Sequence, residues 1–431
     1  MMTYNEAVDY LFNAAPLFQN IGAGAYKEGL YNSMELDKHF GYPHRQFKTI
    51  HIAGTNGKGS CSHTLAAILQ ESGYKVGLYT SPHLIDFRER IRVNGVKIDE
   101  ESVISFVENE RSFFEPLHPS FFELTTALAF KYFAEQQVDV AVIEVGLGGR
   151  LDCTNIITPD LSVITNISFD HVQFLGDTLS KIASEKAGII KQNVPVVVGE
   201  TTNETKIVFE NKAHEMKSLI RFAEEEHEII SLERSNGEVV YQTQTFGSII
   251  ATLTGACQIK NTATILTAVK ELQNSGYHIN TEHIKSGFQN VCRLTGLQGR
   301  WQKMSTKPDV ICDTGHNLAG IEYIVKQLNE YEAENIRIVI GMVNDKDVTS
   351  VLSILPRNAI YYFTKASVQR AMNENDFYEK ATVAGLKGKK YPDVRSAFEA
   401  ATAEASEKDL IFVGGSTFIV ADFLSFFKAY S

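Results

Sequence analysis

The sequence predicts an α/β protein: a larger domain with a largely parallel sheet, a phosphate-binding loop and a small antiparallel region, followed by a smaller α/β domain. Three observations lead there. Short β-branched runs alternate with helical periodicity over residues 49–200 and again after 310, the rhythm of parallel strands wrapped by helices. A glycine-rich turn, Gly54-Thr55-Asn56-Gly57-Lys58-Gly59-Ser60, follows one such run and opens a helix. At 431 residues the chain exceeds what one hydrophobic core usually supports, so two domains are expected.

Taken in order, residues 49–53 read as a buried strand, and the glycine-rich turn leads into a helix reaching about residue 72. A strand at 76–79, helices near 100–114 and 122–136, and a strand at 138–145 follow. Strands at 161–166 and 194–198 continue the sheet, separated by a helix near 178–190. From 228 to 254 the pattern changes to apolar and polar alternation with an Asn236-Gly237 turn signal, which predicts an antiparallel hairpin or meander. Helices near 259–275 and 281–290 complete a first domain spanning 1–297. Past the turn region 296–299, strands at 310–312, 336–340, 359–363 and 409–413, a helix from about 318 and a final helix make a second domain, 298–431. No low-complexity linker separates the two, so they are expected to touch and enclose a cleft.

Composition removes several classes. A formal net charge of −11 disfavours a nucleic-acid partner, because phosphate backbones select Lys and Arg surfaces. The five cysteines, Cys61, Cys153, Cys257, Cys292 and Cys312, are odd in number and never spaced C-x-x-C, so neither a disulfide framework nor a zinc site is implied. They read as small buried thiols in a reducing compartment. The first residues lack a basic segment ahead of an apolar core, and no apolar run approaches the ~18 residues a membrane span needs. A soluble, cytoplasmic protein with no membrane partner is expected.

The chemistry concentrates at strand ends. The turn at Gly54 departs from G-x-x-x-x-G-K-[ST] by its shorter glycine spacing and by Gly59 between Lys58 and Ser60. The physics survives, since backbone N–H groups, a helix N-terminus and one lysine still converge on a polyphosphate, pointing to ATP. Glu144 follows the apolar run 138–143 and precedes a glycine-rich stretch. A carboxylate at a parallel-strand end beside a phosphate loop is where Mg²⁺ is usually held, although such a residue is as often solvated or salt-bridged. Ser81-Pro82-His83 and Asp170-His171 follow two other predicted strands, and an oxygen-rich set with one imidazole suits Mg²⁺ or Mn²⁺ better than zinc. Lys186, near a helix end, reads on its own as an exposed residue. In the second domain Asp313-Thr314-Gly315-His316-Asn317 leaves one strand and opens a helix, and Arg300 lies at the domain junction, where a guanidinium could reach a nucleotide.

With these residues in place the chain resembles the folylpolyglutamate synthase and dihydrofolate synthase family, within the Mur-type ATP-dependent amide ligases. The resemblance runs nearly the whole length. It is carried by His51-Ile-Ala-Gly-Thr-Asn-Gly-Lys-Gly-Ser60, Tyr79-Thr-Ser-Pro-His-Leu84, Arg88-Glu-Arg-Ile91, residues 144–155, Asp170-His171, Glu185-Lys-Ala-Gly-Ile189, Gly341-Met-Val-Asn-Asp-Lys-Asp347 and Gly414-Gly-Ser416. It implies a Mur-ligase-like central domain and a C-terminal domain with a dinucleotide-fold-like sheet.

It also implies roles. Ser81, Glu144 and His171 would surround Mg²⁺, and Lys186 would react with CO₂ to give a carbamate, turning a cation beside the metal into an anion. Asn261, Arg300 and Asp313 would bind ATP, and His316 lies in the family's Asp-Gly-Ala-His-Asn-Pro element as a catalytic candidate beside Lys58, His171 and Lys186. The pterin-bearing substrate would contact Phe121, Phe122 and Glu123, and also Leu151, Asp152 and Cys153, since a stacked aromatic and a carboxylate suit a pterin. The implied reaction is ATP-driven amide synthesis with dihydropteroate or a reduced folate and L-glutamate, through an acyl phosphate, by a monomer whose closing domains assemble the site. Arg150-Leu151-Asp152 resembles the bifunctional bacterial pattern, so both the first and later glutamate additions are expected.

The departures are Thr314-Gly315 for Gly-Ala, Leu318 for Pro, and Gln298 for the proline common before Gly-Arg. None removes a charged group. Two rival readings are a cell-wall Mur ligase acting on a UDP-sugar, against which the 151–155 loop and Asp345-Lys346-Asp347 argue, and a non-catalytic nucleotide-binding regulator, which would need a degraded metal set.

Overall fold

The computed structural model describes residues 2–13, 29–235 and 237–427. These group into two compact units, Met1–Thr252 with Gln258–Leu297, and Leu253–Cys257 with Gln298–Ser431. The strands are β1 (Lys48–Ala53), β2 (Val76–Tyr79), β3 (Ile91–Val93), β4 (Val96–Lys97), β5 (Val140–Glu144), β6 (Leu161–Ile164), β7 (Val196–Val198), β8 (Ile220–Phe222), β9 (Ile229–Ser235), β10 (Glu238–Thr243) and β11 (Gly247–Ala251) in the first unit. The second unit carries β12 (Gln302–Thr306), β13 (Asp309–Cys312), β14 (Ile336–Ile340), β15 (Ile360–Phe363), β16 (Gly388–Lys390) and β17 (Leu410–Gly414).

In the first unit β4-β3-β2-β5-β1-β6-β7-β8 form one sheet. From β2 to β8 every pairing is parallel. Both faces are covered, as a parallel sheet requires. Ile50 and Ile52 of β1 and Val140 and Val142 of β5 enter one core together with Leu65, Ile68 and Leu69 of the Lys58–Glu71 helix and Leu266 and Val269 of the Gln258–Asn274 helix. Alternate residues Ala141 and Ile143 enter a second core, rich in phenylalanine from the Glu100–Phe114 and Phe121–Glu135 helices. This period-two division turns His51 away from the face that Ile50 and Ile52 occupy. The antiparallel β9, β10 and β11 add Val239, Tyr241 and Ile249 to the first core. Asn236 of the expected turn lies outside the described residues.

The hairpin β3–β4 at the sheet edge was not among the sequence expectations. Its signal was present: Asn94 and Gly95 link Val93 to Val96 with φ of 47° and 77°, the left-handed pair that a two-residue hairpin turn requires. The second unit's sheet runs β12-β13-β17-β14-β15-β16, antiparallel only at β12. None of the five cysteines forms a disulfide; Cys61 and Cys312 are buried as expected, but Cys153 and Cys257 are only half-buried and Cys292 is exposed. Among the described residues no helix is long and apolar enough to cross a membrane.

Candidate active site

The neighbouring parallel strands β2, β5, β1 and β6 end along one edge of the sheet, the side on which open α/β sheets bind ligands. The phosphate loop leaves β1 there. Gly54 has φ of 144°, and a Cβ on it would lie 1.9 Å from Thr165 Oγ1. Gly57, at φ 85°, caps the Lys58–Glu71 helix, and its Cβ would meet Asn261 Oδ1 at 2.3 Å. Only glycine accommodates both the dihedral and the approach.

The loop is tied down from several elements. Thr55 N–H donates to Asn166 O at 3.0 Å, Asn56 N–H to Asn166 Oδ1 at 2.9 Å, and Thr165 Oγ1–H to Asn56 O at 2.5 Å. Lys58 Nζ lies over the loop and donates to the carbonyls of Gly54 and Thr55 at 3.1 and 3.2 Å. Gly59 and Ser60 begin the helix, and buried Ser60 Oγ accepts from Gln258 Nε2 at 3.1 Å. Asn261 Nδ2 donates to Gln258 Oε1 at 2.9 Å, so the residue assigned to ATP by resemblance does stand against the phosphate loop. Gln258, its link to Ser60, had not been singled out from the sequence.

Glu144 closes β5 with its carboxylate buried, and Ser81 N–H donates to its Oε2 at 3.1 Å. His171 follows β6 in a left-handed conformation (φ 49°), its N–H donating to Asp170 Oδ1 at 2.8 Å and its Nε2 lying 3.8 Å from the same oxygen. Among the described residues no cluster of three His, Cys, Asp or Glu side chains could cage a metal ion. Ser81 and the buried Glu144 carboxylate bring oxygen donors together at the sheet edge, and oxygen donors suit Mg²⁺ better than zinc.

Lys186 ends the Leu179–Ala187 helix and is buried, 4 % exposed, rather than on the surface. Burial, reinforced by the Lys58 ammonium, draws its pKa down to about 7, with Asp170, Asp152 and Glu185 pulling the other way. Charges from the phosphate loop (Lys58), from Asp170 beyond β6 and from the 144–155 loop (Asp152) thus act on one amine. That loop is seated on the same helix: Arg150 N–H donates to Glu185 O at 2.8 Å, and Asn155 Nδ2 donates to the carbonyls of Arg150 and Gly188 at 3.0 and 3.1 Å.

The residues assigned to a pterin divide. Asp152 is buried, accepts from Leu147 N–H at 2.8 Å and Thr154 N–H at 3.1 Å, and its carboxyl is pushed up by burial. Leu151 and Cys153 flank it, half-buried. Phe122 lies against the same loop: a Cβ on Gly146 would overlap its ring at 2.3 Å. Phe121 is instead packed among aromatics, stacked on Phe12 at 5.0 Å and edge-on to Phe87, with the Arg90 guanidinium 5.1 Å from its ring centroid. Glu123 is buried and turns back to accept from Ser120 N–H, completing the N-terminal cap of its own helix. Arg90, part of the Arg88-Glu-Arg-Ile91 motif, has no role assigned from the sequence. It is buried, donates from Nε to His83 Nδ1 at 2.7 Å, and feels the charge of Glu144, so it lies beside the Ser81-Pro82-His83 turn.

The second unit holds a cluster of its own. Asp313 Oδ2 accepts from Trp301 N–H at 2.7 Å and Oδ1 from Gly315 N–H at 2.8 Å, while Arg300 opposes the upward push of burial on its carboxyl. Arg300 Nη1 donates to Thr314 Oγ1, and that hydroxyl donates to Gly299 O at 3.2 Å. His316 Nδ1 lies 3.0 Å from Thr314 O, and Asn317 caps the Leu318–Asn329 helix.

A glycine-rich loop, a strand-end carboxylate and a buried lysine on one parallel sheet, with a separate α/β unit following, agree with a ligase of the Mur class, and matches to known families show that class. Residues 52–269 match the Mur ligase middle domain, and residues 299–417 match the Mur ligase glutamate ligase domain. The dihydrofolate synthase/folylpolyglutamate synthase of Bacillus subtilis is 31 % identical over 92 % of this chain and 94 % of its own length. A probable bifunctional folylpolyglutamate synthase/dihydropteroate synthase of Haloferax volcanii is 33 % identical over 98 % of the chain, which spans 50 % of that longer relative. The structure of Escherichia coli FolC in complex with DHPP and ADP superposes with a TM-score of 0.86 at 30 % identity, covering 100 % of this chain and 98 % of that one. The chain belongs to the dihydrofolate synthase/folylpolyglutamate synthase family.

Proposed function

We propose that the chain joins L-glutamate to the carboxylate of dihydropteroate and of folates at the expense of ATP. The observation that carries this reading is the shared sheet edge, where the phosphate loop, Ser81 with Glu144, Asp170 with His171, and the field acting on Lys186 converge. A carboxylate oxygen of the pteroyl substrate attacks the γ-phosphorus and the bond to ADP breaks. The amine of glutamate then attacks the acyl phosphate carbon, phosphate leaves, and the amine's proton is released to solvent or base. Lys58 supplies positive charge where the transferred group becomes more anionic, and positioning by the loop amides does most of the remaining work. Ser81, Glu144 and His171 are the residues that would hold Mg²⁺, which would screen the phosphates.

A neutral amine at Lys186 favours carbamate formation, and the carbamate would stand beside that ion. Asp152 and Phe122 take the pterin, with Phe121, Glu123, Leu151 and Cys153 around them. Asn261, Arg300 and Asp313 take ATP, and His316 assists catalysis. The Arg150-Leu151-Asp152 sequence favours both the first and later additions, and small-molecule substrates alone suit a cytoplasmic monomer. Purified protein is assayed for glutamate-dependent ADP release with dihydropteroate and with a reduced folate. Activity with both, lost in Lys58→Ala, is expected. Activity with neither, or a UDP-muramoyl substrate accepted instead, overturns the assignment.

A further inference from the structure

His51 stands where an apolar side chain would suffice. It lies inside β1 with 0 % exposure, and its Nδ1 has no hydrogen-bond partner among the described residues. A buried, unmatched acceptor is a cost that valine or leucine would avoid. The ring's other nitrogen shows what it supplies. Nε2 lies 2.8 Å from Thr154 Oγ1, and that hydroxyl gives its one proton to Asp152 Oδ1. Thr154 can therefore only accept from His51, which fixes the tautomer with the proton on Nε2. Burial keeps the imidazole neutral, so this tautomer leaves Nδ1 as the bare acceptor.

The resulting path runs from His51 Nε2–H to the Thr154 hydroxyl and on to the Asp152 carboxylate. Asp152 also holds Leu147 N–H and caps the Cys153–Ile156 turn, so its orientation sets the loop that follows β5. We propose that His51 is a positioning residue for folate recognition, fixing Asp152 through Thr154 from the strand that carries the phosphate loop three residues later. The inference rests on the assignment of Asp152 to the pterin. Without the relay the carboxylate keeps its backbone donors but loses a hydroxyl and the ring that orients it.

Thr154→Val removes the hydroxyl at nearly constant volume, and His51→Leu removes the donor. Each is expected to raise KM for dihydropteroate by about tenfold, the scale of one hydrogen bond to a charged group, with KM for ATP changed less than about twofold. Thr154→Ser restores the hydroxyl and is expected to return KM to near the wild-type value. The double variant is expected to be no worse than Thr154→Val, since both act on one path. Should His51→Leu fail to fold, Thr154→Val and Thr154→Ser decide. An unchanged dihydropteroate KM in folded Thr154→Val, or equal rises for dihydropteroate and ATP, overturns the relay. Asp152→Asn separates the two ideas: a raised KM there with a normal one in Thr154→Val refutes the relay alone, whereas a normal KM in Asp152→Asn refutes the pterin assignment beneath it.

Discussion

Replacing Lys186 by methionine should make the protein more stable while abolishing its activity. Burial and the Lys58 ammonium lower the amine's pKa from its ordinary 10.5 to about 7. At pH 7 about half the molecules then carry a neutral amine, against roughly 3 in 10,000 at the ordinary value, and only the neutral amine adds CO₂. The same shift makes stability depend on pH. The unfolded chain protonates this lysine up to about pH 10.5 and the folded chain only to about pH 7. Between those values the unfolded state binds more protons, so native stability rises with pH across that window and levels off on either side.

At 1.36 kcal/mol per pH unit the gap amounts to on the order of 5 kcal/mol of destabilisation below pH 7. Methionine fills a similar volume without a charge and removes it. Urea unfolding followed by circular dichroism in CO₂-free buffer should show Lys186→Met several kcal/mol more stable at pH 7, with the difference vanishing near pH 10.5. Bicarbonate should stabilise only the wild type, and glutamate-dependent ADP release should be lost in the variant. Equal stability of the two proteins at pH 7, or a difference that stays constant up to pH 10.5, would refute the reasoning.

Two other substitutions test the local geometry. Gly57→Ala puts a Cβ 2.3 Å from Asn261 Oδ1 at a φ of 85°, so about 1–2 kcal/mol of backbone strain joins a displaced Asn261; KM for ATP should rise about tenfold in steady-state assays, and an unchanged value would remove Asn261 from the nucleotide site. Thr314→Val deletes the hydroxyl that accepts from Arg300 and donates to Gly299 O. A several-fold rise in KM for ATP with dihydropteroate KM unchanged is expected, and no change would mean that Asp313 and Gly299 hold Arg300 unaided.

What the sequence made legible was local. The phosphate loop, Glu144 and Asp170-His171 each follow a β-branched run, and strand ends on one side of a parallel sheet share an edge by topology alone. Lys186 was not legible in this way, because its helix pattern reads as exposed, whereas in the fold it is buried at a helix end against which the 144–155 loop packs. The roles of Gln258 and His51 were not legible for the same reason: their partners, Ser60 and Thr154, are 198 and 103 residues away in the chain. The Asn94-Gly95 hairpin had a clear two-residue signal, but β3 and β4 are too short for strand periodicity to show.

The departures at 314 and 315 connect these limits to function. Read as letters, Thr-Gly for Gly-Ala places doubt on the loop that carries His316. In the structure the changes are complementary. The added hydroxyl at Thr314 takes the Arg300 guanidinium and returns a hydrogen bond to Gly299 O. The side chain given up at Gly315 would have come 2.6 Å from Ile324 Cδ1, beneath the N–H that binds Asp313 Oδ1. Thr314 thus adds a side-chain partner for Arg300, and Gly315 spares the Leu318–Asn329 helix a methyl, while Asp313 is held by backbone donors, Trp301 N–H and Gly315 N–H, that do not depend on either side chain.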